Sequence, residues 1–213
     1  MAVQFSDHIL DTLIGPGVSS FRSADIPDMS GYAPQSRHWV DNYFQNSLLR
    51  GKWPAPLNAY AYNYLRRAEA AFREHINARA ATLGFLERKN SPSLYALALL
   101  HWEVFLGQSW HAYRLLVHAV SPGEKVFERS SGSVEERLNQ LYNQMKHVES
   151  RIMNGQMPNG ATVPVWLTNE GIRSVDAHLT YIETAEALKD LAKWADALDD
   201  PKSASDRIRS MPS

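Results

Sequence analysis

Residues 133 to 152, SVEERLNQLYNQMKHVESRI, decide how the chain is read. At about 100° per residue, with Asn143 taken as zero, Leu138, Leu141, Met145, Val148 and Ile152 all fall between roughly 140° and 220°, a single apolar stripe. The same projection puts His147 at about 40° and Lys146 at about 300°, on Asn143's side and away from the stripe. Ser133 and Glu136 have the Ser-x-x-Glu form of a capping box, and Gly155 and Pro158 stop the helix near Asn154. The stretch predicts one amphipathic helix that packs on one side and offers Asn143, Lys146 and His147 to a partner, a substrate or water on the other.

Upstream, Ser91 as cap and Pro92 at the first helical position open a long apolar helix that runs to Val120 and stops at Ser121-Pro122-Gly123. Before it, Leu57, Ala61, Leu65, Ala68, Phe72 and Ile76 recur every three or four residues, which predicts a helix from 57 to about 82. Two long neighbours so close in sequence are expected to pack antiparallel. Helices are also predicted from Ser6 to about Ile14 and from Ser36 to Arg50, with an irregular arm from Val18 to Gln35 between them. Exposed Phe21, Ile26 and Tyr32 would mean that the arm reaches a second subunit; buried, they would cover the chain's own core.

Downstream, Thr162 to Leu167 reads as a lone extended or edge segment because of Pro164. A last helix is expected from near Ser174 to about Leu198, with Leu179, Ile182, Ala185, Leu188, Leu191 and Trp194 for the core. The fold class is therefore all-α: a bundle of four main helices with an N-terminal helix and irregular arm, and a short extended segment before the last helix. Residues 1 to 56 are expected to pack on a bundle domain of 57 to 200, with 201 to 213 as a flexible tail.

Composition narrows the function. Of 213 residues 44% are hydrophobic, enough for a sizeable core, and 22 Lys plus Arg against 23 Asp plus Glu leave no global charge favouring nucleic acid or an anionic membrane. With no Cys there is no disulfide, thiolate nucleophile or Cys-based zinc site, and a cytoplasmic location is expected. The N-terminus lacks a basic and apolar leader, and the most apolar run, Leu94 to Val120, carries His101, Glu103, Gln108, His111, Arg114 and His118, so no membrane span is expected. His8 with Asp11 and His38 with Asp41 have one-turn spacing, but no Glu-x-x-His accompanies them; neither a metal nor any cofactor is expected. No Gly-x-Ser-x-Gly elbow and no phosphate-binding Gly-x-x-x-x-Gly-Lys loop occur.

Trp102-Glu103, Gln108-Ser109-Trp110-His111-Ala112-Tyr113 and, on the next helix, Asn143-Gln144-Met145-Lys146-His147 are the features by which the chain resembles the HEPN superfamily of α-helical bundles, especially its poorly characterised bacterial members. Val165 to Gly171 is similar to the connection before the final helix in such members. The resemblance covers about half the chain. It implies a homodimer, and for the catalytic members a metal-independent ribonuclease with an Arg-x4-6-His motif, in which His moves a proton and Arg steadies charge on the phosphate.

Gln140, Leu141 and Tyr142 occupy the positions where that motif would need Arg before His147. Arg137 lies too far upstream, and Arg151 sits one turn downstream. One pair has the spacing, Arg173 with His178, and if both stood at the start of the last helix His178 would fall near Ile182 and Ala185 as a core histidine. On the outward face, Asn143 is expected to orient His147 while Lys146, with Tyr142 and Arg137, meets a partner. Arg66, Arg67, Arg73 and Arg79 form a candidate basic strip for RNA, interleaved with Glu69 and Glu74. His101, Gln108, His111 and His118 share an arc of roughly 100° on their helix, a polar stripe that either lines a pocket or bonds neighbouring helices. The function expected is a binding or regulatory role for a homodimer with a polar face at its seam, with a protein partner. The alternatives are a ribonuclease of a toxin or phage-defence system using Arg173 with His178, or His147 with Arg151, and a structural helical module.

Overall fold

The computed structural model describes residues 7 to 88, 91 to 157 and 161 to 200. The order is α1 (Asp7–Leu13), two 3-10 turns (Val18–Ser20 and Ser30–Tyr32), α2 (Ala33–Ser36), α3 (Trp39–Leu49), α4 (Leu57–Glu87), α5 (Pro92–Val120), α6 (Val134–Lys146), α7 (Val148–Met153), β1 (Trp166–Leu167), β2 (Gly171–Arg173), β3 (His178–Thr180) and α8 (Tyr181–Leu198). This is an all-α helical bundle with one small antiparallel sheet, ordered β1-β2-β3, before the last helix. Among the described residues no helix is long and apolar enough to cross a membrane. The tail from Pro201 lies outside the described residues.

The α4 and α5 helices form the frame. Ser91 accepts the Leu94 N–H at 3.4 Å and starts α5 as its sequence predicts. Ala61, Ala68, Ala71 and Ala78 of α4 and Ala98 and Ala112 of α5 are fully buried, and such small side chains leave room for larger ones to interleave. Trp102 is buried with its indole N–H on the Thr82 hydroxyl at 3.0 Å, and packs edge-on against Phe105 and His75. Each such side chain contributes about 1.5–3 kcal/mol by leaving water. The arm closes this core from the chain's own side: Phe21 and Ile26 are 2% and 5% exposed, Phe21 stacks on Phe85, and the Arg79 guanidinium donates to the Ile26 carbonyl at 3.0 Å. Tyr32 alone of the three stays half exposed, at 47%.

Several elements differ from expectation. The helix expected from Ser36 to Arg50 is found as α3, starting at Trp39; α2 lies mainly in the last residues of the expected arm, and the Val40 N–H near the start of α3 donates to the Glu69 carboxylate of α4 at 2.7 Å. The helix expected from Ser133 to Asn154 breaks at His147, whose φ of −110° and ψ of 23° leave the helical range. Gln144 and Arg151 on its two sides both reach Asp176, at 3.0 and 3.8 Å. A straight helix would set them about 10.5 Å apart along its axis, and the break turns both toward one carboxylate. At Ser133 only half of the capping box forms: its hydroxyl accepts the Glu136 N–H, while the Glu136 carboxylate takes the N–H groups of Ser130 and Gly132 at 2.6 and 2.8 Å, which holds its pKa down.

The largest correction concerns residues 174 to 180, expected to begin the last helix and found as the turn and second strand of a hairpin that starts at Gly171. Ser174 accepts the N–H groups of Asp176 and Ala177, closing a turn instead of starting a helix. Ile172 and Leu179 both point inward, and β1, expected as a lone extended or edge segment, is the edge strand, paired with β2. The complete capping box lies six residues later, where the Thr180 hydroxyl accepts the Glu183 N–H at 3.1 Å and the Glu183 carboxylate accepts the Thr180 N–H at 2.9 Å. From that start α8 buries Tyr181, Thr184, Ala185, Leu188, Leu191 and Ala195, and leaves Ile182 and Trp194, both expected in the core, 60% and 37% exposed.

Two predictions follow from these contacts. His75 is fully buried, its Nδ1 has no partner, and burial lowers its pKa from 6.5 to about 4. The unfolded chain takes up this proton below about pH 6.5 and the native state only near pH 4, so stability falls as pH drops through that window, by up to about 3 kcal/mol. Urea unfolding across this range should show His75→Leu losing the corresponding part of the slope. A Cβ on Gly171 would sit 2.0 Å from the Leu179 carbonyl oxygen, whereas one on Gly107 would meet Tyr142 at an ordinary 3.6 Å. Gly171→Ala should therefore cost at least about 2 kcal/mol, and Gly107→Ala should stabilise by roughly 0.5–1 kcal/mol.

Candidate functional site

One edge of each frame helix is polar: Tyr60, Arg67 and Glu74 recur every seven residues on α4, and His101, Gln108, His111 and His118 share an arc of α5. Because the helices run antiparallel, these meet as rungs. His101 Nδ1 lies 2.8 Å from a Glu74 carboxylate oxygen. The Arg67 guanidinium donates to the Gln108 side-chain carbonyl at 2.8 Å. The rings of Tyr60 and His118 lie 6.2 Å apart. The polar stripe of α5 thus bonds mainly to its neighbours, and it also borders open space. A cleft of about 260 Å³ is lined by Asn63, Arg67, His111, Arg114, Leu115 and His118.

His111 is the pivot of this cleft. Its Nε2 shares a 3.2 Å hydrogen bond with the Tyr142 hydroxyl of α6, and the rings stand edge to face at 5.4 Å. Burial lowers its pKa, and Arg67, Arg114 and Lys146 lower it further, so that three cations from three helices act on one imidazole. No carboxylate lines the cleft. A second cavity, of about 330 Å³, adjoins it through Arg67 and is lined by Arg66, Glu69, Ala70, Arg73 and Gln108 as well. The two acids interleaved with the arginine strip are occupied: Glu69 caps α3, and Glu74 meets His101 and Arg73. Arg79 leaves the strip for Ile26 and Asp28.

On α6 the outward face divides. Lys146 and His147 are exposed, with His147 at the helix break. Asn143 is half-buried and donates to Asn139 one turn back at 3.1 Å, so it does not orient His147 as expected. Arg151 turns to Asp176 instead of pairing with His147.

The hairpin gathers the remaining candidates. Arg173 and His178 are direct partners across β2 and β3, on the sheet face opposite Ile172 and Leu179. Arg173 is exposed, whereas His178 is half-buried, with Nε2 covered and without a partner, and burial lowers its pKa. Arg137 comes from α6 to the same place, donating to the His178 carbonyl at 3.0 Å and in a fork to Glu183 at 3.1 and 2.5 Å. Its charge is spent on joining α6, β3 and the start of α8.

Sequence reading missed Asn63 and Arg114 as neighbours of His111 and His118; their signal was one-turn spacing, Asn63 four residues before Arg67, and Arg114 three after His111 and four before His118. Among the described residues no group of three His, Asp or Glu side chains is placed to hold a metal ion. No protein-family model, no curated protein and no solved structure matches the chain.

Proposed function

We propose that the chain is a HEPN-like helical protein with a binding or regulatory role, acting in the cytoplasm as a homodimer whose seam runs along α6, α7 and the N-terminal half of α5. The observation that carries this reading is apolar surface beside the α6 polar face. Ile152 and Met153 on α7 are 59% and 86% exposed, and Leu97 and Leu100 on α5 are 45% and 53% exposed. Gly107 packs on Tyr142 and α6 packs along α5, while α7 continues from α6 beyond the break at His147. Lys146 and His147 border this surface, giving an apolar centre with a charged rim, the usual anatomy of a protein interface. A protein partner on the same surface is the other occupant of this kind.

Light scattering on wild type, Met153→Asp and Lys146→Glu tests the seam. The wild type is expected to be a dimer, Met153→Asp a folded monomer, and Lys146→Glu a weaker dimer. A wild-type monomer at all concentrations overturns the reading.

A metal-independent ribonuclease is the second reading, and the cross-strand register of Arg173 with His178 favours it. It requires RNA cleavage in EDTA that His178→Ala abolishes at unchanged mass while His147→Ala does not. Its absence from a well-folded dimer leaves the binding role.

A further inference from the structure

The cleft between α4 and α5 has its own chemistry, and Lys146 of α6, which also borders the proposed seam, acts on its His111. Arg67 and Arg114 line it from opposite helices, His111 and His118 from positions two turns apart on α5, with Asn63 as a neutral donor and Leu115 as the one apolar side chain. Among the described residues neither Arg67 nor Arg114 forms an ion pair: Arg67 is steadied by the neutral Gln108, and Arg114 is exposed. Two guanidinium groups in a concave site without a carboxylate leave positive charge that a bound anion would neutralise.

We propose that this cleft is a binding site for a small phosphate-bearing anion, gripped by Arg67 and Arg114 and completed by His111 and His118. A tetrahedral, multiply charged group has enough oxygens to accept from planar forks on two sides, which a single carboxylate does not. A volume of about 260 Å³ suits a phosphoryl group with a small organic substituent against Leu115 and is below the usual range for larger ligands.

The site carries a pH signature. Groups facing His111 are Arg67 from α4, Arg114 and His118 from α5, and Tyr142 and Lys146 from α6; none is an acid at neutral pH. In the empty cleft burial, with Arg67, Arg114 and Lys146, lowers the pKa of its imidazole. An anion beside it reverses the balance and favours the protonated ring, so affinity rises as pH falls from about 8 to about 6.

Calorimetric titration of the full chain with inorganic phosphate, phenyl phosphate, sulfate and acetate tests this, using wild type, Arg114→Gln, Arg67→Gln and, as a control on a distant exposed arginine, Arg129→Gln. Saturable phosphate binding is expected, weakened at least about tenfold by Arg114→Gln and by Arg67→Gln and unchanged by Arg129→Gln, with thermal melting confirming that each variant is folded. Arg114 is exposed, so its variant keeps the test open if Arg67→Gln does not fold. Tighter binding of phenyl phosphate than of phosphate identifies a monoester ligand, and equal binding identifies free phosphate. Sulfate does not change charge in this range and is expected to bind more tightly at the lower pH in wild type, with the effect reduced in His111→Gln. Absence of saturable phosphate binding, equal binding by Arg114→Gln and wild type, or a preference for acetate overturns the proposal.

Discussion

The close pairing of α4 with α5 is the constraint on which the rest of the molecule depends. Two helices of 31 and 29 residues lie antiparallel, with buried alanines along both. Their length, about 45 Å, far exceeds what a two-helix contact can keep dry on all sides. The other elements settle on what the pair leaves uncovered: α6 on α5, α3 and the arm on α4, and α8 across both. Where α8 meets the pair, Tyr181 packs on Trp102 and Thr184 touches His75, so one aromatic cluster joins three helices.

The same pairing sorts charge along its seam. At one level an acid and a histidine satisfy each other, Glu74 with His101. One step along, the cation Arg67 has only a neutral partner, Gln108. Further on, Asn63, Arg114 and His118 surround open space with no acid among them. Polar groups in a helix seam must find partners, and here the supply of acids ends before the supply of cations does. The excess positive charge accumulates where the helices part.

At the hairpin the balance is the opposite. Arg137 is held by Glu183 and a carbonyl, Arg151 leans to Asp176, and Gln144 reaches that same carboxylate. These groups join α6, α7, the sheet and α8, and Glu183 does so while also capping α8. Arg173 and His178 face each other there, but the inner ring nitrogen of His178 is covered by the packing. Geometry that brings an arginine and a histidine together is thus accompanied by geometry that commits their surroundings to structure.

Helix identity was legible in the chain wherever signals were local and repeated. Ser91-Pro92 opened α5, the three-and-four spacing traced α4, and the stripe of Leu138 and Leu141 marked the buried side of α6. The Thr180-x-x-Glu183 box is equally local, and it marks the start of α8. What only the tertiary structure decided was set by partners distant in sequence: the cap that Glu69 gives α3, the break at His147 toward Asp176, the hairpin in place of a helical turn, and the cleft where Arg67 meets His111 and Arg114. The chain by itself determined which segments coil and which faces are apolar, because backbone capping and side-chain periodicity act within a few residues. It did not determine which charges remain unpaired, because pairing depends on distances across helices that only packing sets.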